Sequence, residues 1–246
     1  MSARLMSGRL IGVGVGPGDP ELMTLKAMRA LAEADLVVHF AKAGSASQAR
    51  AIAAGHLTAG TQELPLFYPM TSERPRNGSR YRQAMREFYD AAAAMLATQL
   101  DAGRAVAVIC EGDPLFYGSY MHLHVRLAPR YPTQVIAGVT GMSGCWSAAG
   151  APIAQGDDVF MVLPATLPEP ELERRLKDAD AAVVIKLGRH LPKVRGALAR
   201  IGRLERAIYV ERGSTAAAVM MRLADKPDDA APYFAIVLVP GWEERA

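Results

Sequence analysis

Cysteine is scarce in this chain: Cys110 and Cys145 are the only two of 246 residues. Two thiols cannot form a disulfide framework, and both lie in apolar stretches, where a free cysteine behaves as a small buried hydrophobe. No apolar run approaches the ~18 residues of a membrane span. The run after Arg9 is broken by glycines and then by Pro17, Asp19 and Pro20, so it is also no secretory core. Net charge is nearly absent, with 28 Lys plus Arg against 25 Asp plus Glu. A balance of +3 leaves no polybasic footprint for nucleic acid. These absences point to a reduced, cytoplasmic protein with no membrane or nucleic-acid partner. Half the residues are hydrophobic and 22% are charged, which excludes a disordered chain.

Strand and helix patterns alternate along the sequence. Arg9–Val15, Asp35–Phe40, Glu63–Tyr68 and Arg104–Cys110 read as strands, the last as one buried on both faces of a parallel sheet. Thr24 is placed to cap a helix. Tyr81, Met85, Phe88, Ala92 and Leu96, three and four apart, form the apolar stripe of another. Ser45–Ala54 reads as a short helix. After Gly141 strands are expected at Asp158–Leu163, Ala181–Leu187, Ala207–Glu211 and Tyr233–Val239. Helices are expected there at Glu169–Lys177, Leu191–Ile201 and Thr215–Leu223. The class is α/β, divided into residues 1–141 and 142–246.

Three strand-end motifs carry the chemistry. The first is Gly12-Val-Gly-Val-Gly-Pro-Gly-Asp-Pro. A dinucleotide fingerprint started at Gly12 meets Pro17 in its sixth place, and one started at Gly14 meets Asp19. Pro17 has no N–H for a pyrophosphate. The loop exposes backbone but is not built for phosphates, which argues against a nicotinamide-dependent oxidoreductase. The second is Glu111-Gly-Asp-Pro-Leu-Phe-Tyr-Gly, at a strand C-terminus where parallel sheets bind ligands. Gly112 permits close backbone approach and Asp113 supplies a carboxylate. Phe116 supplies a flat face. Asp113 before Pro114 also reads as a helix N-cap, a role compatible with ligand contact. The third is Ala137-Gly-Val-Thr-Gly-Met-Ser-Gly-Cys, which is not a nucleophile elbow because Cys145 takes its last position.

His122 and His124 would point about 200° apart on a helix, so no metal site is expected. Arg74, Arg76, Arg80 and Arg82 cluster around a polar loop over residues 71–80. They suit either a solvated loop or a lid gripping carboxylates with guanidinium forks.

In this order the three motifs resemble the tetrapyrrole methyltransferase family, over essentially the whole chain. Gly14-Val-Gly-Pro-Gly-Asp-Pro-Glu-Leu-Met-Thr-Leu-Lys-Ala is similar to the family's opening signature and Glu111-Gly-Asp-Pro-Leu-Phe-Tyr to its second. Ala137-Gly-Val-Thr-Gly-Met-Ser resembles its third, with Ala137 where a proline is usual. Glu63-Leu-Pro-Leu-Phe-Tyr-Pro-Met-Thr and Phe40-Ala-Lys-Ala-Gly are similar to the subgroup that methylates precorrin-2 at C-20. The resemblance implies two α/β domains with a non-Rossmann S-adenosylmethionine cleft between them, and a homodimer. It implies cofactor contacts at Pro17, Glu111, Gly112, Asp113, Phe116, Thr140 and Gly141, with Leu187 and Gly213 from the second domain. The implied substrate is a small-molecule tetrapyrrole with eight carboxylates, for which Arg74, Arg76, Arg80, Lys42 and Arg189 are the expected partners. Some family members carry an aspartate, proposed as a base, where Phe40 stands here. The resemblance therefore assigns no catalytic residue.

Overall fold

The computed structural model describes residues 8–69 and 78–241. The chain divides into two compact units, Met1–Thr140 and Gly141–Ala246.

The first unit is built on five parallel strands: β1 (Arg9–Gly14), β2 (Leu36–Lys42), β3 (Gln62–Tyr68), β4 (Ala105–Cys110) and β5 (Thr133–Ile136), in the order β3-β2-β4-β1-β5. Continuous apolar runs suit the central strands because both sheet faces are covered. On one face α1 (Leu25–Ala32) and α2 (Gln48–Ala53) pack on Ile11, Val13, Val37 and Ile109. On the other, α3 (Ser79–Asp101) and α4 (Tyr120–Leu127) pack on Leu10, Val38, Val106 and Val108. The Thr24 hydroxyl accepts from the Ala27 N–H at 3.1 Å, so it caps α1 as its sequence position suggests. The α3 stripe also meets expectation: Ala92 and Leu96 are buried, and Met85 and Phe88 pack against the same core.

Gly12 owes its place to packing rather than to a ligand. A methyl group added there would sit 2.4 Å from Cε1 and Cζ of Tyr120, a fully buried ring of α4. We expect Gly12→Ala to destabilise the protein sharply and to cost much less in a Tyr120→Leu background. A double-mutant cycle by urea unfolding should read a coupling of about 1–2 kcal/mol. Additive losses would show that the ring is not what excludes the methyl.

The second unit holds α5 (Gly141–Ala148), β6 (Phe160–Pro164), α6 (Glu169–Asp178), β7 (Ala181–Ile185), α7 (Leu191–Arg200), β8 (Ile208–Glu211), β9 (Val219–Arg222) and β10 (Ala235–Val239). Its sheet runs β6-β7-β10-β8-β9. β6 and β7 are parallel, β10 is antiparallel to both β7 and β8, and β9 is antiparallel to β8. This sheet is mixed, unlike the first.

The expected helix over Thr215–Leu223 is not formed. The Thr215 hydroxyl accepts from the Ala217 N–H at 3.2 Å, and its carbonyl accepts from the Ala218 N–H at 3.0 Å. That turn sends Val219–Arg222 back along Ile208–Glu211 as a hairpin. Alanine, methionine and leucine favour helix locally, but a neighbouring strand that satisfies every second backbone group outweighs so small a preference.

Both cysteines are buried and free. Burial pushes the Cys110 thiol up to about 12 and the Cys145 thiol to about 11, so both stay protonated and unreactive. Among the described residues no helix is long and apolar enough to cross a membrane.

Candidate functional site

The C-terminal ends of β1, β4 and β5 bring three backbone segments into contact. The Val15 N–H donates to the Cys110 carbonyl at 3.0 Å, and the Gly112 N–H donates to the Gly16 carbonyl at 2.7 Å. Beyond the parallel pairing of β1 and β4, the first two loops are thus joined by an isolated antiparallel bridge between Gly16 and Gly112. The third loop lies against both. A Cβ on Gly138 would be 2.0 Å from the Gly112 oxygen and 2.9 Å from Gly14 Cα. A Cβ on Gly14 would be 2.5 Å from that oxygen and 2.6 Å from Gly138 N. Only glycine lets the three backbones approach so closely.

Asp113 ties the arrangement together. Its Oδ1 accepts from the Leu115 N–H at 2.9 Å and its Oδ2 from the Gly138 N–H at 3.1 Å. The expected N-cap role is thereby corrected. Residues 114–117 form a turn and a bend, α4 starts only at Tyr120, and the carboxylate joins the second loop to the third. Glu111 keeps a solvent-exposed side, yet the surrounding loops crowd its carboxyl. That desolvation raises its pKa, partly offset by backbone N–H donors including Ala49 at 3.1 Å.

The electrostatics of these loops are one-sided. Residues 12–19, 110–118 and 136–141 carry the carboxylates of Asp19, Glu111 and Asp113 and no Lys, Arg or His. Beside them Leu115 and Phe116 are exposed apolar groups, and nothing lies within 4 Å of a Cβ built on Gly141. Carboxylates, open space at Gly141 and exposed apolar faces suit a cationic, partly aromatic ligand and repel a phosphate.

In the second unit, Leu187 and Gly213 follow β7 and β8. These strands run in the same direction, each antiparallel to β10, so both loops lie at the same end of the sheet. Leu187 has its side chain fully buried in the core, and a Cβ on Gly213 would touch Cys145 Cα and Sγ at 2.8 Å.

The sequence from residue 9 to residue 224 matches the family described as Tetrapyrrole (Corrin/Porphyrin) Methylases. The chain belongs to this tetrapyrrole methylase family. Among similar proteins, a precorrin-2 C(20)-methyltransferase of Sinorhizobium sp. is 59% identical over 238 residues, covering 97% of each chain. The cobalamin biosynthesis protein CobIJ of Mycobacterium tuberculosis is 49% identical over all of this chain, which spans only 48% of that protein. A solved uroporphyrin-III C-methyl transferase from Thermus thermophilus, complexed with S-adenyl homocysteine, superposes with a TM-score of 0.62. It is 25% identical, and the match covers 94% of this chain and 97% of that one.

Within this methylase the expected cofactor residues divide by place. Gly112, Asp113 and Phe116 lie on the second strand-end loop, and partly exposed Pro17 on the first. Thr140 closes the third loop, and Gly141 opens α5. Leu187 can offer a ligand only its backbone, since its side chain is core. Of the expected substrate residues, Lys42 is exposed at the end of β2, Arg80 on the first turn of α3 and Arg189 just after Gly188. Arg74 and Arg76 lie outside the described residues.

Gly14, Gly16 and Gly138 lie inside the three motifs and belong to the site through their backbones, a role that the sequence alone does not mark. Their signal was available as glycine at the ends of successive apolar strands. What the sequence lacked was the pairing of β1 with both β4 and β5, which makes the three positions meet. No group of three or more metal-ligating side chains occurs among the described residues.

His39 on β2 lies 3.8 Å from Glu63, and its Nδ1 is buried with no hydrogen-bond partner among the described residues. Burial lowers its pKa from the usual 6.5, opposed by Glu63 and assisted by Arg50. Burial likewise lowers His122 and His190. For a lowered histidine the fold prefers the neutral ring, so its stabilising contribution is complete above pH 6.5 and is lost as pH falls below it. Between pH 7.5 and 5 we expect the melting temperature to fall, and His39→Gln to flatten that fall. An unchanged slope in the variant would remove His39 from the effect.

Proposed function

We propose that this protein transfers a methyl group from S-adenosylmethionine to C-20 of precorrin-2, giving precorrin-3A in cobalamin biosynthesis. The observation that carries the reading is the 59% identity to a precorrin-2 C(20)-methyltransferase across 97% of both chains. The acceptor-rich, cation-free loops of the first unit support the choice of donor, because a sulfonium is a cation.

The bound donor supplies a methyl group already activated by positive sulfur. The protein is left to align the reacting atoms and exclude water, which needs few charged catalytic groups. In this reading Pro17, Glu111, Gly112, Asp113, Phe116, Thr140 and Gly141 hold the donor, with Leu187 and Gly213. Asp113 acts as a positioning residue, since both its oxygens are engaged by backbone N–H groups. The C-20 meso carbon is the enamine-type nucleophile and afterwards loses its proton. Lys42, Arg74, Arg76, Arg80 and Arg189 hold carboxylates of the substrate. Replacing Arg74, Arg76 and Arg80 together by alanine is expected to raise the KM for precorrin-2 at least tenfold with the donor Kd unmoved. Unchanged substrate affinity would remove these arginines from the site.

The deciding experiment is a single turnover with methyl-labelled S-adenosylmethionine and precorrin-2, with the label located by NMR. Label at C-20 is the expected result. Donor binding without transfer to precorrin-2 overturns the substrate assignment and leaves the cobalt-loaded ring as the next acceptor to try. A cytoplasmic homodimer completes the proposal, in keeping with two free buried thiols. Light scattering should read twice the mass of one chain.

A further inference from the structure

Among the described residues three non-glycine residues adopt positive φ: Tyr117 at 56°, Lys186 at 59° and Arg212 at 47°. A lysine, an arginine and a tyrosine gain nothing intrinsic from the left-handed region, and such strain persists only where the surroundings over-determine it. Each directly adjoins one of the proposed donor contacts: Phe116, Leu187 and Gly213 respectively. The second unit shows how the strain is held. Leu187 is anchored with its side chain fully buried, and Gly188 follows at φ 41°, so the peptide between Lys186 and Leu187 cannot relax by moving the leucine. Gly213 is held against Cys145, and the Arg212 N–H donates to the Phe234 carbonyl at 2.9 Å. Ser214 Oγ, in the same loop, is buried without a hydrogen-bond partner among the described residues.

We infer that Lys186 and Arg212 are positioning residues for the methyl donor, acting through their left-handed backbone and not through their charged ends. They turn the peptides at Leu187 and Gly213 into the orientation the donor meets. A core leucine and a glycine have no side chain to offer, so peptide orientation is what these two positions can contribute. This rests on the proposed use of S-adenosylmethionine but not on the acceptor.

The test compares glycine and valine at each position, because glycine accepts positive φ freely while a β-branched residue resists it. S-adenosylhomocysteine is titrated calorimetrically into wild type, Lys186→Gly, Lys186→Val, Arg212→Gly and Arg212→Val. The valine variant at each position is expected to bind at least tenfold more weakly than the glycine variant, although both lack the charge. The turnover number at saturating donor should change far less than the donor KM, a split that general loosening of the fold does not produce. Equal affinities for glycine and valine overturn the inference, whether both equal wild type or both fall together. Should a valine variant fail to fold, Ala replaces Val at that position, with the same order expected in smaller degree and the same overturning result. Wild type that binds S-adenosylhomocysteine but leaves C-20 unlabelled refutes the acceptor alone. Label at C-20 with equal affinities refutes the backbone role alone.

Discussion

Gly138→Ala should abolish donor binding while leaving a protein whose far-ultraviolet circular dichroism is still that of an α/β fold. The added methyl would lie 2.0 Å from the Gly112 carbonyl oxygen, a backbone atom that cannot swing aside as a side-chain tip does. Gly112 is itself tied by its N–H to Gly16, and Gly138 by its N–H to Asp113. Relief therefore requires the third loop to leave the other two. Overpacking costs about 1–3 kcal/mol when neighbours can adjust, and the upper end applies to a clash with backbone. At roughly 2–4 °C per kcal/mol for a chain of this size, the melting temperature should fall by about 6–12 °C. Calorimetric titration with S-adenosylhomocysteine and differential scanning calorimetry check both parts. Binding within threefold of wild type would show that contact between the three loops is not what forms the donor site.

Asp113→Asn comes next in size. Hydrogen bonds to a charged acceptor contribute about 1.5–3 kcal/mol each. Asparagine keeps one acceptor oxygen but turns an NH2 group toward one of the two N–H donors, Leu115 or Gly138. The loss of one such bond corresponds to a donor Kd raised by roughly 10- to 100-fold. A residue that positions the donor and moves no proton should leave the rate of a saturated single turnover almost intact. Stopped-flow single turnover at saturating S-adenosylmethionine, beside a binding titration, separates the two effects. A slowed saturated turnover with unchanged affinity would make Asp113 a participant in the chemistry, contrary to its role as a clamp between loops.

The legibility of the chain follows the range of the interactions concerned. Arg104–Cys110 read correctly as a doubly buried strand because a short, continuous apolar run rich in valine and isoleucine has few other uses, and its Ala105–Cys110 is the central β4. Thr24 was readable as a cap because capping involves groups three residues apart. The helix expected at Thr215–Leu223 failed for the opposite reason. Its alternative, pairing with Ile208–Glu211, depends on a partner whose availability no local window reports.

The same division runs through the site. Its three glycine-bearing loops, the spacing that excludes a dinucleotide fingerprint, and the surplus of carboxylates over cations are properties of the amino-acid order alone. The three motifs sufficed to reach the family, because each is a short segment whose glycines and polar groups are contiguous in sequence. Three facts needed the tertiary structure. Gly12 makes room for the Tyr120 ring. Asp113 spans two loops rather than capping a helix. Leu187 has only its backbone to offer. In each case the deciding partner is distant in sequence or is the surrounding core, and only the folded sheet brings it within reach.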